Sequence, residues 1–398
     1  MKYCIIIPDG MADWPVAELG NKTPLEAAHK PNMDYVAQNG RLGLVRTIPS
    51  GMPSGSDVAN LSVIGYDPRK SYTGRAPLEA ASMGLPMTPG HWFFRCNLVT
   101  VDGDLMADYC AGHISTKEAD ELVKSLQEKL APRFVTFHTG VSFRQIMIYA
   151  GPDPMDARTT PPHDIMGKKF MDYLPRGNGS QLLQRLMLAS QELLSKHSVN
   201  AVRVDLKENP ANMIWLWGQG QAPRLAKFAD RYRKTGAVIS AVDLVKGIGR
   251  CIGWDVIEVP GATGELDTNY AGKAQRAIEA LESHDLVFIH IEAPDSAGHD
   301  GDARGKVQAI ERVDAEIVGP LLEGLTGFGK FRILVLPDHL TPVTKRTHVD
   351  EPVPFAMYGE AVLSSRRLSF TEANAKESDL KVEEGHTLME YFLATGRV

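Results

Sequence analysis

Three short apolar runs in this chain each lead into a Pro-Asp pair, and that pattern restricts the fold more than any other feature. Ile5-Ile6-Ile7 runs into Pro8-Asp9, and Ile333-Leu334-Val335-Leu336 runs into Pro337-Asp338. Phe288-Ile289-His290-Ile291 reaches Pro294-Asp295 after two intervening residues. Runs of this kind read as the buried parallel strands of an open α/β sheet, whose ligands bind just past the carboxyl ends of the strands. The three aspartates are therefore expected at one rim. Asp295 is followed four residues on by His299, and Asp338 directly by His339, with His348 nine residues further. Carboxylates and imidazoles converging from separate strands point to divalent metal chemistry. The candidate ligands are Asp9, Asp295, His299, Asp338, His339 and His348.

Taken singly, each aspartate could be a helix N-cap and each histidine a satisfied core or surface residue. Three strand ends each delivering an acid, two with histidines nearby, exceed what capping produces. The site also needs a nucleophile. Between Arg46 and Arg75 the chain is rich in Gly, Pro and Ser, and Pro53-Ser54-Gly55-Ser56-Asp57 precedes a short helix expected over Val58–Ile64. Backbone N–H groups and the positive end of a helix dipole favour a phosphate there. Ser56 is thus the candidate nucleophile, with helix capping as the competing role and Ser54 as its rival.

The rest of the chain sets the organisation. Its 398 residues suffice for two or three domains, or for one α/β domain with an insertion. Pro86, Pro89 and Gly90 mark a boundary, after which strands at Phe93–Val101 and Arg144–Tyr149 and a capping box at Ser115-Thr116-Lys117-Glu118 describe an α+β insert. It closes near the loop Leu174–Gly179, and Ser180 caps an amphipathic helix to about Ser195. The β-α alternation then resumes, with strands expected at Asn212–Leu216, Ala237–Ser240, Asp255–Val259, Leu286–Ile291 and Arg332–Leu336. Helices are expected over Tyr270–Ser283 and Lys306–Leu325. The division is therefore 1–87 with 178–398 as the catalytic domain and 88–177 as the insert. Gly247-Ile248-Gly249 follows a helix rather than a strand and reads as its C-cap, not as a nucleotide loop. Trp215 and Trp217 read as packing residues.

A formal charge of −6 with scattered basic residues argues against nucleic acid and a polybasic membrane anchor. No apolar run approaches the ~20 residues that span a bilayer, and the first apolar stretch is too short for a signal peptide. Cys4, Cys96, Cys110 and Cys251 form no C-x-x-C pair, so a reducing cytoplasm and a small-molecule substrate are expected.

Pro8-Asp9-Gly10-Met11, Gly55-Ser56-Asp57 with Ala59-Asn60-Leu61, Tyr66-Asp67-Pro68, Tyr72-Thr73-Gly74-Arg75-Ala76-Pro77-Leu78-Glu79, Pro294-Asp295 with Gly298-His299, and Pro337-Asp338-His339 together resemble a known family. They are similar to the archaeal-type, cofactor-independent phosphoglycerate mutases of the alkaline phosphatase superfamily, over essentially the whole chain. The resemblance implies an alkaline-phosphatase-like three-layer core with a mostly parallel sheet and an inserted smaller α+β cap. It also implies two divalent ions (Mn²⁺, Zn²⁺ or Mg²⁺) and a phosphoserine intermediate in the exchange of 3-phosphoglycerate and 2-phosphoglycerate. Residue by residue, Asp295, His299 and His348 resemble one ion's ligands. Asp9, Ser56, Asp338 and His339 resemble the other's, with Ser56 the nucleophile. Substrate anions would be held in the insert by cations such as Arg95, His113, Arg144, Arg158 and His163, with Lys168 or Lys169. Those mutases typically read Ala-Gly-Arg where this chain has Ala111-Gly112-His113. A bacterial branch of the family is proposed to phosphorylate homoserine, so homoserine phosphotransfer and phosphomonoester hydrolysis are the alternative reactions.

Overall fold

The structure is a computed structural model that describes residues 1–364 and 367–394. It divides into two compact units, Met1–Tyr72 with Arg224–Val398, and Thr73–Pro223.

The first unit is built on an eight-stranded sheet. From edge to edge its strands are Lys381–Val382, Arg41–Val45, Val353–Gly359, Phe331–Val335, Lys2–Pro8, Leu286–Ile291, Gly236–Ile239 and Asp255–Val256. Only Val353–Gly359 runs antiparallel to its neighbours. Lys2–Pro8 lies between two parallel partners, with Pro8 level with Ile291 and Ile6 with Val335. Both faces of these strands are buried, which explains the unbroken apolar runs. Cys4, Ile6, Val287, Ile289, Ile333 and Val335 face one helical layer, formed largely by Pro31–Asn39, Tyr270–Ser283, Ala303–Val313 and Gly319–Thr326. On the other face Phe288 meets Trp254 at 5.9 Å between ring centroids, Tyr3 meets Phe392 at 5.5 Å, and Val238 lies under Gly249 of the helix Asp243–Ile252. The unit is a three-layer α/β core with a mostly parallel sheet, as expected.

The second unit holds an antiparallel sheet centred on Trp92–Asp102, which pairs with Leu105–Asp108, Arg144–Tyr149 and Met213–Gln221. Val135–Val141 extends it beyond Arg144–Tyr149. The capping box forms as expected, with Ser115 capping the helix Thr116–Lys129 and Glu118 returning the bond. Trp215 is fully buried in this unit's core, and Trp217 nearly so.

Several expectations are corrected. The second unit starts at Thr73 and ends at Pro223, wider than 88–177, because Met213–Gln221 pairs with Trp92–Asp102 rather than joining the large sheet. The helix Ser180–Ser195 packs in the same core through Leu183, Leu186 and Met187, and is preceded by Gly179 in the left-handed region instead of being capped by Ser180. Gly247 and Gly249 lie inside the helix Asp243–Ile252, and Gly253 is its left-handed C-cap. The helix expected over Lys306–Leu325 is broken by a π turn at Asp314–Val318. Among the described residues, no helix is long and apolar enough to cross a membrane.

Candidate active site

The strand register carries Asp9, Asp295 and Asp338 to the same end of the large sheet, where three groups of potential ligand atoms assemble. Asp295, His299 and His348 form the first group, Asp9, Asp338 and His339 the second, and Asp9, His290 and Glu292 the third, each with its atoms within 4.8 Å of one another. All six metal-ligand candidates from the sequence therefore come together.

In the first group, His299 and Asp295 stand one helical turn apart on Ala293–Asp300, so both side chains share a face. His299 Nε2 is 3.3 Å from Asp295 Oδ2, His348 Nε2 is 3.5 Å from Asp295 Oδ1, and the two Nε2 atoms are 2.9 Å apart. His299 Nδ1 lies 3.0 Å from the Arg346 carbonyl and His348 Nδ1 3.2 Å from the Ser54 carbonyl. Those bonds fix the rings so that each turns Nε2 inward. Burial works against ionising Asp295, but hydrogen bonds from both imidazoles win and hold it well below the usual carboxylate range.

The second group is fully buried. Asp338 Oδ1 accepts from the Gly10 and His339 amides at 3.3 and 3.0 Å, and its Oδ2 accepts from Asn60 Nδ2 at 2.8 Å. The Thr47 hydroxyl donates to the Asp338 carbonyl at 2.5 Å. His339 Nε2 lies 3.4 Å from Asp9 Oδ1 and 3.6 Å from Asp338 Oδ2. Burial, and then the charges of Asp338, Asp295 and Glu292, push the Asp9 carboxyl well above its usual range. Its Oδ1 is buried with no hydrogen-bond partner among the described residues. Carboxylates crowded this closely, with an orphaned oxygen and an imidazole nitrogen aimed at them, fit a divalent cation: oxygen and nitrogen donors of the right type, lacking only the counter-charge.

Ser56 opens the helix Ser56–Val63, whose N-cap is Gly55 with no side-chain cap bond. Its hydroxyl therefore does no capping. Ser56 Oγ lies 3.1 Å from His339 Nε2 and 3.5 Å from Asp9 Oδ2. Asn60, one turn on, donates to both the Ser56 carbonyl and Asp338, tying the helix to the second group. Ser54, the rival, meets the site through its backbone carbonyl, which lies 3.2 Å from His348 Nδ1.

Sequence reasoning missed His290, Glu292, Asn60 and Thr341. His290 sits inside an apolar strand, with Nε2 2.9 Å from Asp9 Oδ2 and Nδ1 3.4 Å from Ser240 Oγ. Burial pushes it down to about 4. A histidine within a buried strand was the available signal. Asn60, four residues after Ser56, was readable as sharing its helix face.

The second unit brings most of its expected cations together through a line of rings. The Arg95 guanidinium stacks 4.1 Å from the Trp217 ring, and its Nε is 2.8 Å from Glu79 Oε2. Burial, opposed by Glu79, pushes Arg95 down to about 10. His163 meets Trp217 at 5.5 Å and Tyr109 at 6.0 Å, Tyr109 meets Phe143 at 5.9 Å, and Phe143 carries His113 at 6.0 Å and Arg144 at 4.7 Å. Arg158 stands outside that line, exposed, in a backbone bridge to Arg176. Lys169 is exposed and pairs with Asp104 at 3.1 Å, and Lys168 donates to the Asp164 carbonyl.

Comparison with known proteins places this geometry in a family. A family model described as 2,3-bisphosphoglycerate-independent phosphoglycerate mutase matches residues 37–200. A protein of that name from Methanothrix thermoacetophila is 52% identical over 395 residues, covering 99% of this chain and 100% of the relative. A probable mutase of the same kind from Geobacter sulfurreducens is 50% identical over 398 residues, covering 99% and 100%. Among solved structures, the PH0037 protein of Pyrococcus horikoshii superposes with a TM-score of 0.83 at 32% identity, covering 98% of this chain and 96% of its own. The cofactor-independent phosphoglycerate mutase of Thermoplasma acidophilum superposes with a TM-score of 0.69 at 27% identity, covering 99% of each. The chain belongs to the 2,3-bisphosphoglycerate-independent phosphoglycerate mutase family.

Proposed function

We propose that this protein interconverts 3-phosphoglycerate and 2-phosphoglycerate through a phosphoserine on Ser56. The observation that carries the reading is the Ser56 hydroxyl, free of capping duty at a helix start and within 3.1 Å of His339 and 3.5 Å of Asp9. Full-length relatives named as mutases of this type support the substrate. No comparison favours homoserine phosphotransfer or simple hydrolysis.

Two divalent ions, of Mn²⁺, Zn²⁺ or Mg²⁺, would be held by Asp295, His299 and His348 and by Asp9, Asp338 and His339 with Ser56. When bound, such ions lower the pKa of a coordinated hydroxyl and neutralise charge on the phosphoryl oxygens. The chain's own groups do the rest. The amides opening Ser56–Val63 orient the phosphate. The Ser56 O–P bond forms as the substrate's P–O ester bond breaks, and the departing oxygen takes up the proton that Ser56 gives up. The other glycerate hydroxyl then reverses these changes, restoring Ser56 and placing the phosphoryl group on the second carbon oxygen. Arg95, Arg144, His113, His163 and Arg158 are the second unit's candidate groups for recognising a carboxylate. A cytoplasmic setting suits the four cysteines, none of which is in a disulfide.

An NMR time course with 3-phosphoglycerate tests this reading. Wild type should yield 2-phosphoglycerate, Ser56→Ala should yield nothing while keeping its fold and metal content, and peptide mapping after trapping should find phosphate on Ser56. Free phosphate as the sole product, or homoserine phosphate formed from homoserine and ATP without any 2-phosphoglycerate, would refute the mutase assignment. An active Ser56→Ala protein would refute the nucleophile.

A further inference from the structure

Thr341 is fully buried two residues after His339, and its hydroxyl touches both halves of the site. It donates to Asp295 Oδ1 and lies 3.2 Å from His339 Nδ1. A hydroxyl has one proton to give. Asp295 Oδ1 is a carboxylate oxygen and the acceptor of the closer of the two contacts, so the Thr341 proton goes there. The hydroxyl must then accept from His339 Nδ1–H. That leaves Nε2 as the lone-pair nitrogen, and Nε2 is the atom that faces Ser56, Asp9 and Asp338.

The surroundings hold Thr341 in place from several sides. Its carbonyl accepts from Lys306 Nζ at 2.8 Å, and the same ammonium reaches Asp13 Oδ2 at 2.7 Å in a fully buried ion pair. Its amide donates to the Ala12 carbonyl at 3.3 Å. Two glycines leave room for it. A Cβ on Gly298 would fall 2.5 Å from the Thr341 carbonyl oxygen, and one on Gly10 would fall 2.5 Å from Thr341 Oγ1.

We infer that Thr341 is a positioning residue that sets the tautomer of His339 and mechanically joins the two metal-ligand groups, so that each group is formed correctly only when the other is. The inference rests on the metal reading of the site and goes beyond it, since Thr341 is no ligand in that reading. It requires that one side chain, itself no ligand, control affinity at both ions.

Thr341→Val keeps the shape and removes both hydrogen bonds, and Thr341→Ser restores the hydroxyl. Mn²⁺ titration by calorimetry should show Thr341→Val binding weaker by about 10-fold or more at both ions, the usual effect of losing an outer hydrogen bond to a ligand. Thr341→Ser should bind close to wild type. Long-range nitrogen–proton NMR correlations of histidine-labelled, chelator-treated protein should show His339 protonated at Nδ1 in wild type and Thr341→Ser, and shifted from that pattern in Thr341→Val. Circular dichroism checks that each variant is folded. Wild-type affinity at both ions in Thr341→Val, a loss confined to the Asp295 group, or unchanged His339 signals would overturn the inference. A wild type that takes up no divalent ion would instead refute the metal reading, and the ring signals would then decide the role of Thr341 alone.

Discussion

Gly10 follows the first catalytic-rim aspartate, and replacing it by alanine is a perturbation whose size follows from the geometry. Its φ of +60° is left-handed backbone, which costs an alanine about 1–2 kcal/mol. An added Cβ would also lie 2.5 Å from Thr341 Oγ1 and 2.6 Å from Asp295 Oδ1, about 1 Å inside ordinary contact. Neither neighbour is a flexible chain end. Relief must move buried groups, at an overpacking cost of about 1–3 kcal/mol. Gly20 supplies the control, because its φ is +68° and a Cβ there meets nothing within 4 Å. Gly20→Ala should thus lose only the backbone term of about 1–2 kcal/mol, and Gly10→Ala about 2–5 kcal/mol. Urea unfolding of the two variants, treated with chelator, measures the difference. Mn²⁺ titration should show Gly10→Ala weakened by about 10-fold or more at the Asp295 group, with Gly20→Ala unaffected. Equal stability losses in the two variants, with metal binding intact in Gly10→Ala, would refute the steric argument.

Asp295→Ala combined with His299→Ala should lower bound Mn²⁺ from two ions per chain to one by elemental analysis, and a stoichiometry unchanged by the double substitution would sink the two-group model. Glu372 gives a pH dependence away from the site: burial pushes its carboxyl up to about 7 although Thr23 and the Asp13 amide bond it. Because the folded value lies above the unfolded one of about 4.3, its contribution is fully present below that pH and is lost as pH rises through 7. Glu372→Gln should remove that decline, worth at most about 4 kcal/mol by pH 8, and parallel urea midpoints for wild type and variant from pH 4.5 to 8 would contradict it.

The parts of the fold legible in the sequence are those that local physics decides. Tyr270–Ser283 forms with the expected bounds, and the Ser115 box caps its helix, because period and capping act over a few residues. The errors come from partners far along the chain. The first five residues of Met213–Gln221 are as apolar as a core strand, and they do not encode which sheet it will join. Gly249 sits mid-helix because a Cβ there would come within 2.6 Å of Val238. The helix expected over Lys306–Leu325 opens into a π turn at Asp314, whose carboxylate takes the Asn32 and Met33 amides that start Pro31–Asn39. That bond spans 281 residues, beyond the reach of any periodicity.

The site divides along the same line. Aspartates at strand ends were readable because parallel strands deliver their carboxyl ends to one rim, so residues far apart in sequence meet without any local signal being needed. The groups that orient them were missed: Thr341 carries no local signal, and those of Asn60 and His290, a shared helix face and a histidine within a buried strand, compete with common structural roles. Ser56 shows what geometry adds. As a serine before an aspartate at a helix start, it has capping as its ordinary role. Gly55 takes the N-cap position instead, and Asn60 anchors the helix to Asp338, which leaves the hydroxyl turned toward His339 and Asp9. A helix capped by glycine instead of a side-chain acceptor loses about a few tenths of a kcal/mol, and among the described residues the hydrogen-bond contacts of the Ser56 hydroxyl are with candidate ligands. Under the proposed function, that exchange suits a hydroxyl that has to meet a phosphate.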